Sequence, residues 1–185
     1  GSAFSSKGVS RGAGTEFYTA HFFSNRFYKY KPGDQDFISV MSLEDGNIIE
    51  LDSKYNWKTP NGTNIVTLDE GESAIFKRTY KNSDYSLGTR IYSTNDKEMV
   101  VTSGSWGGRL QDNNTADQDI GIEQLVPVKA LGKKYLISQS KTGVTNTVSY
   151  RQGIVVVAVE DGSTSYTFNG GTKQYLNKGG VRFHY

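Results

Sequence analysis

The sequence predicts an all-β protein, a β-sandwich-like module in which two related β units pack together, and three observations carry that prediction. Phe37-Ile-Ser-Val-Met-Ser-Leu-Glu-Asp-Gly46 and Gly153-Ile-Val-Val-Val-Ala-Val-Glu-Asp-Gly162 share five identical positions of ten, and most of the others exchange one apolar residue for another. A weaker match lies upstream, Gly14-Thr-Glu-Phe17 against Gly132-Lys-Lys-Tyr135. Asp45 and Asp161 lie 116 residues apart and Gly14 and Gly132 lie 118 apart, so the two units differ by a slip of two residues in one loop. A repeat of this kind marks one supersecondary unit used twice. Second, short alternating or fully apolar runs bounded by turn residues recur throughout, while helical periodicity is nearly absent. Third, 21 Gly against three Pro fits many tight turns.

Strands are expected near residues 15–23, 37–43, 47–52, 64–68, 72–79, 89–93, 98–104, 134–140, 153–159, 164–168 and 181–185. Asp45-Gly46 and Asp161-Gly162 fall between strand pairs and read as hairpin turns, because Gly accepts the positive φ and Asp bonds its own backbone. Asn61-Gly62 and Asn169-Gly170-Gly171 are further turn signals. Ile154–Val159 is apolar at every position, so both faces of that strand need cover and it reads as central. Its counterpart, Phe37–Leu43, is interrupted only by Ser39 and Ser42. Ala130-Leu-Gly132 reads as a single helical turn. The expected organisation is one module over 3–185, with pseudo-repeat halves of about 14–110 and 123–185 joined by an acidic loop, 109–123. Gly1-Ser2 reads as a remnant of tag removal.

Composition narrows the function classes. The 185 residues suit one domain, and 12 Tyr, nine Phe and two Trp supply large buried areas despite a hydrophobic content of 35%. A net charge of +2, evenly scattered, argues against a nucleic-acid partner. No apolar run is long enough to insert into a membrane. The absence of cysteine excludes disulfides, thiolate metal sites and cysteine catalysis.

The region after the strand Val100–Ser103 has its own order of features. An Asp/Asn-rich loop is followed by Glu-Gln-Leu-Val-Pro-Val-Lys-Ala-Leu-Gly-Lys-Lys-Tyr (123–135), then by a buried strand ending in Glu-Asp-Gly. Over roughly residues 14–168 this resembles the IgGFc-binding protein N-terminal-like module of mucus glycoproteins and of very large secreted bacterial surface proteins. Its Leu-Val-Pro-Val…Leu-Gly-Lys-Lys-Tyr form is most similar to the Bacteroidota versions. Those include giant gliding-motility adhesins exported by type IX secretion. The resemblance implies an extracellular β-rich module at the cell surface with a part in adhesion, and it carries no catalytic residues.

Candidate chemistry concentrates in one stretch. Asp112, Asn113, Asn114, Asp117, Asp119 and Glu123 supply the carboxylate and amide oxygens that calcium prefers. Asp112, Asn114 and Glu123 echo an EF-hand loop at its first, third and twelfth positions. Ala116 at the fifth position and Asp117 at the turn glycine exclude a true EF-hand. Asp112, Asn114, Asp117, Asp119 and Glu123 thus form a candidate calcium set of another kind, against the plain alternative of a solvated loop whose acids cap turns. Trp106, set among glycines, and Arg109 are the candidate ligand contacts, since glycines let a chain expose an indole ring. The competing reading folds Trp106 over the sandwich end, and Trp57 carries the same two alternatives.

Enzymatic readings fail on geometry. Glu44-Asp45 and Glu160-Asp161 suggest paired glycosidase carboxylates, but neighbouring strand residues project to opposite faces and cannot converge on one bond. Ser103-Gly-Ser-Trp-Gly-Gly108 lacks the first glycine of a nucleophile elbow and no helix follows it. His21 and His184, the only histidines, have no partners at triad or zinc spacing. Asn61-Gly-Thr63 and Asn113-Asn-Thr115 match the glycosylation pattern, coincidentally if the source is bacterial. Lys77-Arg78 and Lys133-Lys134 read as solvated strand edges.

The function expected is therefore a non-enzymatic adhesive module of a large secreted surface protein, binding an extracellular glycan or surface protein, with calcium as the only candidate cofactor. Neighbouring modules of the same parent chain are its expected partners. The alternative is a structural spacer in a surface filament with no ligand of its own.

Overall fold

The computed structural model describes residues 3–5, 12–20, 35–79, 87–108, 119–136 and 154–184; for residues 3–5, 35, 79, 106–108, 119 and 120 it describes the backbone alone. Strands follow one another almost without interruption. They are β1 (Ala3–Ser5), β2 (Ala13–Gly14), β3 (Glu16–Tyr18), β4 (Gln35–Ser42), β5 (Asn47–Asp52), β6 (Ile65–Leu68) and β7 (Ser73–Thr79). After these come β8 (Arg90–Ser93), β9 (Met99–Gly108), β10 (Asp119–Gln124), a single 3-10 turn at Val128–Ala130, then β11 (Ile154–Val157), β12 (Ser163–Tyr166), β13 (Gln174–Asn177) and β14 (Val181–His184). The expected all-β class holds.

Two sheets form the body. The first runs β1-β10-β9-β4-β7, with β2 continuing along β9, and the second runs β3-β8-β5-β6. Alternation explains how they meet. In β5 the side chains of Ile49 and Leu51 face inward and those of Glu50 and Asp52 outward; β8 does the same with Ile91 in and Arg90 and Tyr92 out. Phe17, Ile49, Leu51, Leu68 and Ile91 of the second sheet meet Ile38, Val40, Phe76, Met99 and Val101 of the first in one core. Trp57 lies in that core at 1% exposure and donates its indole N–H to Thr89 Oγ1 at 2.9 Å, which settles its role as packing.

The two Asp-Gly turns expected as hairpins are not hairpins. β4 pairs with β7 and β9 in the first sheet, whereas β5 pairs with β6 and β8 in the second, so Asp45-Gly46 carries the chain across the sandwich. Likewise β11 pairs with β14 and β12 with β13, so Asp161-Gly162 also joins strands of different sheets. Gly46 and Gly162 both take positive φ, +62° and +79°, in equivalent places. The Asp-Gly signal reports a tight reversal, and a tight reversal serves an arch between sheets as well as a hairpin within one.

The two units are not equally buried. Among the described residues β11 has one strand partner, and all four of its side chains are half-buried, so it is not the doubly covered central strand expected. Its counterpart β4 is paired on both sides, by β7 and β9, with Ile38 and Val40 fully enclosed. Ser42, read as a break in that apolar run, is buried because its hydroxyl donates to the Glu44 carbonyl at 2.6 Å and closes the arch. Residues 134–136 are not strand, and 137–140 lie outside the described residues. The helical turn sits two residues earlier than expected. Among the described residues four strands went unread: the short β1 and β2, β10, in the polar stretch expected as loop, and β13.

The segments around Gly88 and Gly179 meet backbone to backbone. Gly88, at φ +75°, faces Gly179, at φ +72°, so closely that a Cβ on Gly88 would run into the Gly179 carbonyl oxygen. Gly71, at φ +78°, has open space around it. Gly71→Ala should therefore cost only the left-handed strain, about 1 kcal/mol. Gly88→Ala should cost at least about 2 kcal/mol in urea denaturation, strain and collision together; equal losses would show that the glycine contact contributes nothing.

Candidate functional site

The two ends of the sandwich differ in chemistry. At the end where β4 passes to β5, β6 to β7 and β8 to β9, acidic and amide side chains bind the three connections to one another. Gly46 N–H donates to Asp69 Oδ1 at 2.8 Å, Glu70 N–H to Asp45 Oδ1 at 3.0 Å, and Glu98 N–H to Glu44 Oε1 at 2.7 Å. Asn95 Nδ2 donates to the Gly46 carbonyl at 2.9 Å. Beneath them the buried Asn47 amide spans to the Lys97 and Glu98 carbonyls, each at 3.3 Å, and accepts from Ser93 Oγ at 2.8 Å. Glu44 and Asp45 thus hold backbone amides of different loops, consistent with two carboxylates that do not converge on a substrate. In the second unit Asp161 instead accepts from Lys178 Nζ at 3.2 Å.

The outward face of the second sheet carries a paired polar network that the sequence reading missed. Register places Glu16 opposite Tyr92 opposite Glu50, and Tyr18 opposite Arg90 opposite Asp52. Arg90 Nε donates to Glu16 Oε1 at 2.6 Å, Tyr92 OH to Glu50 Oε2 at 2.9 Å, and the Arg90 guanidinium lies 4.1 Å from the centre of the Tyr92 ring. The signal was there in the alternation Glu16-Phe17-Tyr18 and Arg90-Ile91-Tyr92, whose outward members are complementary in charge. Burial, then the neighbouring Glu16 carboxylate, holds the Tyr18 hydroxyl well above its ordinary pKa; the hydrogen bond to the Glu50 carboxylate raises that of Tyr92.

Trp106 stands toward the opposite end. β9 is the longest strand, and its pairing with β4 begins at Ser105–Asp36, so Trp106 lies where β9 and β10 run on beyond β4. Gly108 and Asp119 are register partners, with a bulge between Asp119 and Gly121. The polar stretch 109–118 therefore connects the two strands of a hairpin, and residues 119–123 of the expected loop are strand. Arg109, Asp112, Asn114 and Asp117 lie outside the described residues. Asp119 and Glu123 both stand on β10, and Glu123, half-buried, is opposite Ser103. Among the described residues no three His, Cys, Asp or Glu side chains cluster as a metal site, and no helix is long and apolar enough to cross a membrane.

Two packed sheets joined by cross-sheet arches, with the polar side chains of one end bound to its own loops, define an all-β sandwich module. A family model described as IgGFc binding protein matches residues 8–184, and the chain belongs to that family. It is a family of extracellular binding modules rather than of enzymes. No curated protein and no solved structure matches the chain.

The raised tyrosine pKa values fix a pH dependence. Above about pH 10 the unfolded chain releases the Tyr18 and Tyr92 protons while the folded chain keeps them, so the unfolded state is favoured and stability falls with rising pH. The contribution is complete below pH 10. Tyr18→Phe should make the fall in melting temperature between about pH 9 and pH 11 shallower than in the wild type; an unchanged slope would remove Tyr18 as its source.

Proposed function

We propose that this chain is a non-enzymatic adhesive module of a large secreted protein, binding a glycan or another protein at the cell surface. The observation that carries the reading is the family match across residues 8–184. The sequence resemblance points further, to gliding-motility adhesins of Bacteroidota and type IX secretion. The binding end is the tip of the β9–β10 hairpin, with Trp106 and Arg109 as contacts. Glycines on both sides of Trp106 leave the backbone free of bulky neighbours there.

Calcium belongs to the proposal as the ion that orders this tip. Asp112, Asn114, Asp117, Asp119 and Glu123 are oxygen donors throughout, the chemistry a hard cation selects. Ordering the tip beforehand lowers the entropy lost when a ligand binds. The spacer reading draws support from one observation, the reuse of the same cross-sheet arch at Gly46 and Gly162.

Two measurements decide between these readings. On a glycan array and on whole cells the module should bind saturably, and Trp106→Ala should weaken that binding at least about tenfold, the loss of a central aromatic contact. No saturable binding would leave the spacer. Calcium titrated calorimetrically should release or absorb heat and raise the melting temperature, by mass action on the folded state; no heat, with an unchanged melting temperature after chelation, would remove the ion.

A further inference from the structure

Strands β11–β14 trace the path of β4–β7 almost residue for residue. Ser42 N–H donates to the Glu72 carbonyl at 3.0 Å, and the Ser42 carbonyl accepts from Gly71 N–H at 2.9 Å. Ala158 does the same with Gly180 at 3.0 Å and Gly179 at 2.8 Å. Register continues the match, from Met41 opposite Ser73 to Ile38 opposite Phe76, and from Val157 opposite Val181 to Ile154 opposite His184. In the other layer Asn47 and Ile49 stand opposite Leu68 and Val66, as Thr164 and Tyr166 stand opposite Leu176 and Gln174. Tyr166 OH meets His184 Nε2 at 3.0 Å, so the two small sheets touch through their inner side chains. There the likeness ends. β4 has β9 on its other side and β5 has β8, whereas among the described residues β11 and β12 each keep one edge without a strand.

Two observations indicate what those edges take. An antiparallel strand turns the N–H and C=O groups of alternate residues to alternate sides. Ala158 bonds toward β14, so Val155 and Val157 present their backbone groups to the open side. On the same side of β4 lies β9, and Leu43 N–H there donates to the Glu98 carbonyl at 3.0 Å. The second observation is the Thr164 hydroxyl oxygen, buried and without a hydrogen-bond partner among the described residues. A buried hydroxyl is costly until something satisfies it. Thr164 occupies the place of Asn47, on the inner face just past the arch glycine and opposite a leucine. Asn47 finds its partners in β8 and the turn that follows it: Ser93 Oγ at 2.8 Å, and the Lys97 and Glu98 carbonyls, each at 3.3 Å. The open ladder and the unsatisfied hydroxyl thus ask for the same complement, two strands and the turn between them. We infer that the edges of β11 and β12 dock a strand–arch–strand segment of polypeptide with the pattern of β8–β9, supplied by a neighbouring module of the parent chain. Only that source rests on the reading of a module within a larger chain; the docking rests on the pairing geometry.

The test uses the full chain and a synthetic peptide of its own residues 87–104, which carries β8, the turn after it and the first part of β9. Titration calorimetry should show saturable one-to-one binding, and the peptide should raise the melting temperature of the chain. Val155→Pro removes an N–H on the open side and spares the ladder with β14. It should weaken peptide binding about tenfold, the order expected when a ladder carbonyl is left unpaired, at a melting temperature close to that of the wild type. Thr164→Val should act in opposite directions, raising the melting temperature of the free chain while weakening peptide binding, since the hydroxyl gains a partner only in the complex. A peptide carrying Ile91→Asp, with a charge on its inward face, should not bind. No saturable binding, or binding that both Val155→Pro and Thr164→Val leave unchanged, would overturn the assignment. So would a dimer in sedimentation that Val155→Pro dissolves, which would give the edge to a second copy. The peptide carries no sugar and stops short of Trp106, so its outcome is independent of the adhesion assay.

Discussion

The arrangement depends on how the sheets are tied together, because backbone pairing does not do it. β2 to β3, β4 to β5, β6 to β7 and β8 to β9 all cross from one sheet to the other, so the ladder hydrogen bonds stay within sheets while the chain passes between them. Two things then hold the layers in register. One is the shared apolar core of Phe17, Ile49 and Ile91 against Ile38, Phe76 and Val101, which is non-directional. The other is the set of bonds from Glu44, Asp45, Asn47, Asp69 and Asn95 across the three connections at one end, which is directional. Apolar burial alone would let the sheets slide, and a slide would break several of these bonds at once.

That constraint explains which parts of the fold were legible in the sequence. Periodicity reports which face of a strand is dry, and it located β4, β5, β7, β8 and β9 well because each has one face in the core. It does not report which strand a neighbour will be. Asp45-Gly46 and Asp161-Gly162 were read as hairpins because the local chemistry of a tight turn is common to both cases. Ile154–Val159 was read as central because it is apolar throughout, yet β11 has one strand partner among the described residues, while β4, where Ser39 and Ser42 interrupt the run, is paired on both sides. Ser42 tolerates burial because its hydroxyl is satisfied within the arch, and no hydropathy pattern records that. β10 was missed for the opposite reason: Asp-Ile-Gly-Ile-Glu-Gln reads as polar loop, and it becomes strand because β9 offers it a partner.

The candidate site was legible to a smaller degree. Trp106 and Asp119 stand toward the tip of one hairpin, where a loop was expected, while Arg109, Asp112, Asn114 and Asp117 lie outside the described residues. Trp57 could not be assigned from its neighbours, because the hydroxyl that satisfies its indole comes from Thr89, 32 residues on. The opposition of Lys58 and Lys77 was invisible for the same reason. They are nineteen residues apart and only the edge pairing of β7 sets them face to face. Lys77-Arg78 was read as a solvated edge; Lys77 is exposed, but Arg78 is buried beside the Tyr55 ring.

The carboxylates of the arched end are there for reasons of construction. The arches need acceptors for the amides that reversals leave without ladder partners, and carboxylates beside glycine turns supply them, so acids collect at the arched end. There Glu44, Asp45 and Asp69 each accept a backbone amide from another connection, and Glu98 is paired with Lys129. The other end has no such demand. It carries Lys54, Lys58 and Lys77, the running-on strands β9 and β10, and the contact between Gly88 and Gly179. At that end Asp36 stands opposite Arg78, Asp52 opposite Arg90 and Asp119 on β10, so the side where β9 and β10 run on carries both signs of charge.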